Sequence, residues 1–316
     1  LPEGQLTKRL GSNEHKGLIQ WDAAQPSAVL QAMLTGKPYP IKVWLERSGN
    51  KFGVNGNAGS WVKAMENVDL IVHMYMYPTS FSMYADILLP ATEWLETNML
   101  IESLNMVFAR QAVAHVWETE DETLFWSKLI KKCASLGNKN AQRACDPNFM
   151  KDDLAYWDSM EELLDGRLKR INMTWKQLLA NNPVTYMPYD KWNTYYVYKE
   201  KDPKTGLPKG FRTPSKKLEL YGDVWITLGR TGKPYALQPL PPASKDYDPL
   251  PYYLEPHENP TNEIGREFPL ILTNGRIPVY HHGTLRNVPY LREIYPVPEL
   301  WVNPVDAKKY DLKTGD

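Results

Sequence analysis

The densest concentration of chemically capable side chains lies in TNGRIPVYHHGTLRN, residues 273 to 287. Thr273, Asn274, Gly275, Arg276, His281, His282, Gly283, Thr284 and Arg286 bring hydroxyl, amide, imidazole and two guanidinium groups into one loop. Such a set suits a large, polar, anionic ligand rich in hydrogen-bond acceptors. A solvated surface loop has the same composition, so the residues alone leave both readings open. Neighbouring side chains such as His281 and His282 diverge in either a strand or a helix, which makes them a poor two-point metal clamp. The six histidines include no HExxH and no pair four apart, which argues against a zinc hydrolase.

A second loop, RSGNKFGVNGNAGS at 47–60, has the glycines that let backbone amides approach a phosphate, although glycine- and asparagine-rich loops also simply turn. Glu93 and Glu96, three apart, could serve as an acid and base on one helix face. Carboxylates just after Pro90 read more readily as electrostatic caps. Ser80 and Ser82 lack the GxSxG elbow of a serine hydrolase, and neither GxGxxG nor GxxxxGK[ST] occurs. Cys133 and Cys145 form no CxxC pair, so they build neither an iron–sulfur nor a zinc site. They read as two free thiols in preference to a disulfide.

The 37 basic and 37 acidic residues cancel, leaving no overall field to draw in nucleic acid or an anionic membrane. Apolar residues make up 42%, enough for a core, and no apolar run approaches the roughly 18 to 20 residues of a membrane span. The 26 prolines, with 19 tyrosines and 11 tryptophans, point to long irregular connections packed by aromatics. The chain opens at Leu1 without a signal sequence and stops on a turn, DLKTGD. Both ends read as cut, which implies a fragment of a larger polypeptide and leaves its compartment, periplasm or cytoplasm, unreadable.

The elements that must position these loops follow from periodicity. IKVWLE (41–46), DLIVHMY (69–75) and ADILLP (85–90) read as buried strands, and WVKAMENV (61–68) as a helix with Trp61, Met65 and Val68 on one face. Strands alternating with short helices predict an α/β fold, with a parallel sheet flanked on both faces and ligands beyond the strands' carboxyl ends. EDETLFWSKLIKKCASL (120–136) is a helix stopped by Gly137, followed by a polar connection over 138–150. Residues 152–168 and 174–180 are further helices with Asp152 and Thr174 as N-caps. Residues 183–267 show little regular pattern, and such a stretch is often functional. FPLILTNGR and PELWVN read as strands, PVDAKKYDL as a short helix opened by Pro304, and no internal repeat is visible.

Five blocks, in order, resemble a known family. They are GKPYPIKVWLERSGN (36–50), VDLIVHMYMYPTSFSMYADILLPATEWLE (68–96), GFRTPSKKLELY (210–221), FPLILTNGRIPVYHHGTLRNVPYLRE (268–293) and PELWVNPVDAKKYDLKTGD (298–316). Together they are similar to the C-terminal half of the molybdopterin oxidoreductases of the dimethyl-sulfoxide-reductase family, with its ADxxLPAxxWxE, TPSGKxELY and NPxDAxxxGIxxGD patterns.

The resemblance implies that residues 1–137 form the second half of a Rossmann-like cofactor-binding domain. Residues 138–267 would be a helical and irregular connecting region, and 268–316 the first part of a β-barrel that binds molybdopterin dinucleotide. It implies a molybdenum or tungsten ion held by two molybdopterin guanine dinucleotides. A [4Fe–4S] cluster and the protein ligand to the metal are expected only in the missing N-terminal half, so no catalytic or metal-ligating residue is assigned here.

Ser48, Gly49, Asn50, His73, Tyr75, Thr79 and Asp86 are the implied cofactor-binding residues, together with the nine of the 273–287 loop. The sequence departs from the family pattern at Lys51, commonly proline, at Tyr75, commonly acidic, and at Lys216, commonly glycine. The implied activity of the full-length parent is two-electron oxygen-atom transfer of the kind used in anaerobic respiration, with this fragment inactive alone. Hydratase, transhydroxylase and catechol-dehydroxylase chemistry, or a metal-free structural subunit, are the alternatives. The implied partners are the missing half of the polypeptide and an iron–sulfur electron-transfer subunit.

Overall fold

A computed structural model describes residues 6–17, 24–47, 49–103, 105–146, 157–188, 196–233, 247–282 and 284–316. The chain divides into two compact units, Leu1–Tyr252 and Tyr253–Asp316.

In the first unit, β1 (Val43–Arg47), β2 (Leu70–Tyr75) and β3 (Ile87–Pro90) form a parallel sheet in that order. The register sets Glu46 beside His73, and Tyr75 beside Pro90. Helix α1 (Pro26–Thr35) starts on proline and ends on Gly36, whose φ of 70° suits the left-handed cap. Helix α2 (Lys51–Val54) is a single turn, and α3 (Ala58–Met65) follows it. Trp61 and Met65, one helical turn apart on α3, pack with Met33, Ala64, Ile71 and Phe81, and Trp44 and Phe52 lean on this cluster. Burying each such side chain contributes about 1.5–3 kcal/mol, so this core anchors the loops at the carboxyl edge of the sheet.

A second sheet is antiparallel: β4 (Met99–Ser103) pairs with β5 (Met106–Arg110), and β6 (Val184–Thr185) joins β5. Around it lie α4 (Glu122–Ser135), α5 (Lys139–Ala144), α6 (Met160–Leu168) and α7 (Trp175–Asn181). Leu100 and Val107 of the hairpin bury against Leu163, Leu164 and Leu168 of α6 and against Trp175 and Leu178 of α7. Asp121 caps α4, Asn138 caps α5 and Ser159 caps α6, while Thr174 and Gln177 close a reciprocal capping box on α7. Cys133 and Cys145 are free thiols.

Several expectations shift. The helix expected from Asp152 begins at Met160 behind its Ser159 cap; Asp152 itself lies outside the described residues. The polar 138–150 connection contains α5, and the irregular 183–267 region contains α8 (Asp223–Thr231), which ends on Gly232 with φ 70°. In the second unit, α9 (Glu263–Glu267), α10 (Pro289–Ile294) and α11 (Pro304–Lys309) form, α11 starting at Pro304 as expected. FPLILTNGR and PELWVN carry no strand. A strand needs a neighbour to receive its amides and carbonyls. None is present among the described residues of this unit, and Leu270, Ile271, Leu272, Leu300 and Trp301 stay exposed.

Candidate functional site

The parallel sheet releases the loops after β1 and β2 at the same edge. After β1 the chain turns through Gly49, whose φ of 81° favours glycine, to Asn50. After β2 it runs through 76–80 into a short turn of 3-10 helix, Phe81–Tyr84. Phe81 is fully buried and holds that turn down, with its ring 5.1 Å from Trp44 and 5.1 Å from His73, edge-on in both cases. The two loops are joined where the Ser80 hydroxyl donates to Asn50 Oδ1 at 3.0 Å.

His73 is 1% exposed. Its Nδ1 lies 2.9 Å from Ser82 Oγ, which itself accepts the Thr79 amide at 2.8 Å. His73 Nε2 and Thr79 Oγ1 are both buried without a hydrogen-bond partner. Buried polar groups are nearly always satisfied, so each orphan leaves a place for a ligand atom or a water. His73 lines a cavity of about 220 Å³ with Tyr75, Met76, Tyr77, Pro78, Ser82 and residues 88–90, while Thr79 does not line it. Tyr75 stacks on His73 at 5.7 Å and meets Tyr77 at 4.9 Å. Burial pushes the His73 imidazole below its ordinary value, partly offset by the Gly49 carbonyl. Burial likewise lifts the Tyr75 phenol well above its usual range, helped by Tyr77. Both groups are therefore neutral near pH 7.

Two cations stand at the end of β1, each shared with a carboxylate. Lys51 Nζ lies 3.2 Å from Oε1 of the buried Glu46, whose Oε2 accepts Trp44 Nε1 at 3.0 Å. Arg47 Nε lies 2.8 Å from Glu122 Oε2 at the start of α4. Burial raises both carboxylates above the ordinary range, and Lys51 and Arg47 oppose it.

Of the residues expected here, Gly49, Asn50, His73, Tyr75 and Thr79 come together, and Ser48 lies outside the described residues. Asp86 sits apart. Its Oδ2 accepts the Ile71 amide at 2.8 Å, at the amino end of β2, about 13 Å along the strand from Tyr75. It ties β3 to β2. Glu93 and Glu96 form a capping box, and Glu96 also accepts Val116 N at 2.6 Å and Thr119 Oγ1 at 2.8 Å. Those bonds, first that from the Glu93 amide, hold the Glu96 pKa below its ordinary value. Both glutamates are structural caps.

In the second unit, a cavity of about 320 Å³ is lined by Asn274, Gly275, Arg276, Ile277, Tyr280, His282 and Arg286. Tyr280 is buried, its hydroxyl donates to the carbonyls of Leu291 and Tyr295, and Arg286 lies over its ring at 4.9 Å. Arg276 Nη2 is 3.3 Å from His281 Nδ1. Thr284 Oγ1 is spent on the His281 carbonyl. Thr273 is exposed and does not line the cavity, and Gly283 lies outside the described residues. Among the described residues no cluster of three histidine, cysteine or acidic side chains is set to hold a metal.

The two donor sets differ in kind. Neutral donors and aromatic walls at the sheet edge suit a flat ring, whereas two guanidiniums with an amide suit an anion. Sequence reasoning passed over Ser82, which it weighed only as a hydrolase nucleophile, and the Glu46–Lys51 pair. The alternation of Trp44 and Glu46 along β1 was the available signal that Glu46 points inward.

No family model matches the chain. It is 28% identical over 302 residues to acetylene hydratase from Syntrophotalea acetylenica, covering 93% of this chain and 35% of that protein. It is 25% identical to dopamine dehydroxylase from Eggerthella lenta, covering 100% of this chain and 34% of the relative. It is 24% identical to the molybdopterin-containing subunit of thiosulfate reductase from Salmonella typhimurium, covering 92% and 35%. The solved structure of acetylene hydratase from Pelobacter acetylenicus superposes with a TM-score of 0.68 at 26% identity, over 93% of this chain and 35% of that one. The chain thus spans about a third of the length of the curated relatives it matches.

Proposed function

We propose that this chain, a homologue of the molybdopterin oxidoreductases of the dimethyl-sulfoxide-reductase family, is the C-terminal cofactor-binding part of a molybdenum or tungsten enzyme. The observation that carries the proposal is His73, buried with Nε2 partnerless, in the lining of a cavity at the carboxyl edge of a parallel sheet. That edge is where open α/β sheets bind ligands. The loops of β1 and β2 would hold the heteroaromatic part of a molybdopterin guanine dinucleotide through Gly49, Asn50, His73 and Thr79. Taken by itself, the 274–286 loop of the second unit would suit phosphate oxygens of such a cofactor through Arg276 and Arg286.

When bound, the cofactor supplies a metal centre for two-electron chemistry such as oxygen-atom transfer. The chain's own residues bind and orient it, and they exclude water with Tyr75, Tyr77 and Phe81. The remainder of the polypeptide would carry the iron–sulfur cluster and the protein ligand to the metal. Residues 1–137 belong to a Rossmann-like domain in this reading, and 268–316 open a barrel whose strands form with later segments. An iron–sulfur electron-transfer subunit is the expected partner.

A second reading keeps the cofactor and changes the reaction to hydration or reductive dehydroxylation. The relatives named acetylene hydratase and dopamine dehydroxylase favour it. The test is elemental and nucleotide analysis of the full-length polypeptide. Stoichiometric molybdenum or tungsten, with two equivalents of GMP released by acid, is the expected result. Absence of both would leave the metal-free structural role and overturn the proposal.

A further inference from the structure

We propose that residues 196–221 form a docking surface for an acidic protein partner: a self-braced, lysine-rich lobe with leucines set between its cations. From Lys199 to Glu219 the chain carries seven lysine and arginine side chains against three acidic ones, although its total charge is zero. All seven are exposed. Among the described residues only Lys209 is in an ion pair, 2.6 Å from Glu200. The other six cations lack a carboxylate of their own.

The lobe is held by its own short-range bonds. In its first turn Asp202 N donates to the Leu207 carbonyl and Gly206 N to the Asp202 carbonyl, both at 2.8 Å. Asp202 Oδ1 accepts the Lys204 amide at 2.7 Å. In its second turn Phe211 N donates to the Lys216 carbonyl at 2.9 Å, and the Thr213 hydroxyl donates to the Lys217 carbonyl at 2.6 Å. Tyr198 and Phe211 stack at 4.6 Å and join the two turns, and Lys199 lies over Tyr196 at 4.5 Å. Such bracing lowers the ordering cost of binding. Tyr196 and Lys216 also hold positive φ, 62° and 59°, where a side chain is strained. Position 216 is one at which the family pattern commonly carries glycine. The Lys216 ammonium has no ion pair or hydrogen bond among the described residues, so what lysine adds there is a free cation.

The pattern selects the class of partner. Leu207, Leu218, Leu220 and Tyr221 are exposed among the cations, and apolar groups ringed by polar ones are the make-up of a protein interface. A nucleic-acid backbone would leave those leucines in water and bring its phosphates against Glu200, Asp202 and Glu219. An anionic bilayer takes up an amphipathic helix, and no helix of the lobe gathers its leucines on one face. A protein surface with carboxylates around an apolar centre matches both features. The inference does not depend on which cofactor the polypeptide holds.

The test is titration of the full-length polypeptide with three probes: a random copolymer of glutamate and tyrosine, phosphatidylserine vesicles, and oligothymidylate. Copolymer binding should weaken with salt. It should fall about tenfold or more in the triple variant Lys204→Glu, Lys216→Glu, Lys217→Glu, which removes steering charge without touching the core. Lys216→Gly should also weaken it while the melting temperature holds or rises, because glycine relieves the positive φ. A lower melting temperature with unchanged binding would make Lys216 structural and overturn its role. No copolymer binding, equal binding by the triple variant, or tighter binding of vesicles or oligonucleotide overturns the proposal. If the wild type releases no GMP but binds the copolymer as described, the cofactor reading fails and this one stands. A loss of GMP confined to the triple variant would move these lysines to the cofactor and end the docking surface.

Discussion

Ser80 and Asn50, thirty residues apart, meet through a hydroxyl-to-amide hydrogen bond of 3.0 Å that ties the loop after β2 to the loop after β1. The bond is exposed, so its net worth is at most about 0.5–1.5 kcal/mol. Its consequence is order, since it joins the N-cap of α2 to the N-cap of the Phe81–Tyr84 turn. Asn50→Ala should leave the melting temperature nearly unchanged while amide exchange at Ser80, Phe81 and Ser82 speeds up. Unaltered exchange at these amides would show that the buried Phe81, and not the bridge, sets the loop.

The Glu46–Lys51 pair gives a stability difference with a definite sign. Burial lifts the Glu46 pKa above its ordinary 4.5, against the pull of Lys51. A raised carboxyl contributes stability that is fully present below the unfolded value and lost as pH rises through the folded one. Glu122 shifts in the same direction. Glu46→Gln keeps an acceptor for Trp44 Nε1 and removes the charge, so it should gain on wild type near pH 7 and lose that advantage near pH 4. Lys51→Met leaves a buried carboxylate without its counter-charge and should cost on the order of 1–3 kcal/mol near pH 7, and less in acid. Urea unfolding at the two pH values checks both, and the opposite ordering would sink the account.

The sheet edge was legible because periodicity is local. IKVWLE, DLIVHMY and ADILLP are short β-branched and leucine-rich runs, and the structure pairs them in parallel, but only β2 is buried as expected, since Val43, Leu45, Ile87 and Leu88 are exposed. Thr174 announced α7 because a cap is read from three or four neighbouring residues. The β4–β5 hairpin was missed because Met99 and Ile101 are exposed on its outer face, which blurs the alternation that marks a half-buried strand. FPLILTNGR carries the pattern of a strand, but pairing is a property of two segments. Asp86 was grouped with the cofactor residues through the resemblance of ADILLPATEWLE to a family pattern. Its distance from them follows from strand direction, which places it at the amino end of β2. Ser82 gained its place from a contact nine residues away, with His73, which no spacing rule supplies.

Glu96 is the stitch between the Trp94–Glu96 turn and the 116–119 segment. Its pKa lies below the ordinary value, first because the Glu93 amide donates to it. A lowered carboxyl contributes stability that is present above the unfolded pKa and lost as pH falls through the folded one. Glu96→Ala should therefore speed exchange at Val116 and Thr119 near neutrality and leave little difference from wild type in strong acid. It should leave the GMP content of the full-length protein unchanged. A loss of GMP in Glu96→Ala would return this carboxylate to the functional residues.

Arg276 and Arg286 line one cavity of the second unit, but they are held differently. Arg286 lies over the Tyr280 ring at 4.9 Å, while Arg276 approaches His281 at 3.3 Å. If both meet phosphate oxygens, Arg276→Ala and Arg286→Ala should each lower the dinucleotide retained by the full-length protein. Retention by wild type should then fall with salt more steeply than retention by either variant, because screening weakens a contact the variants no longer make. Arg286→Lys is the sharper probe. It keeps the charge but loses the planar fork and the stacking on Tyr280, so retention should fall between wild type and Arg286→Ala. Full retention in Arg286→Lys would mean that charge alone matters at this position. Full retention in both alanine variants would remove the 274–286 loop from the cofactor site altogether.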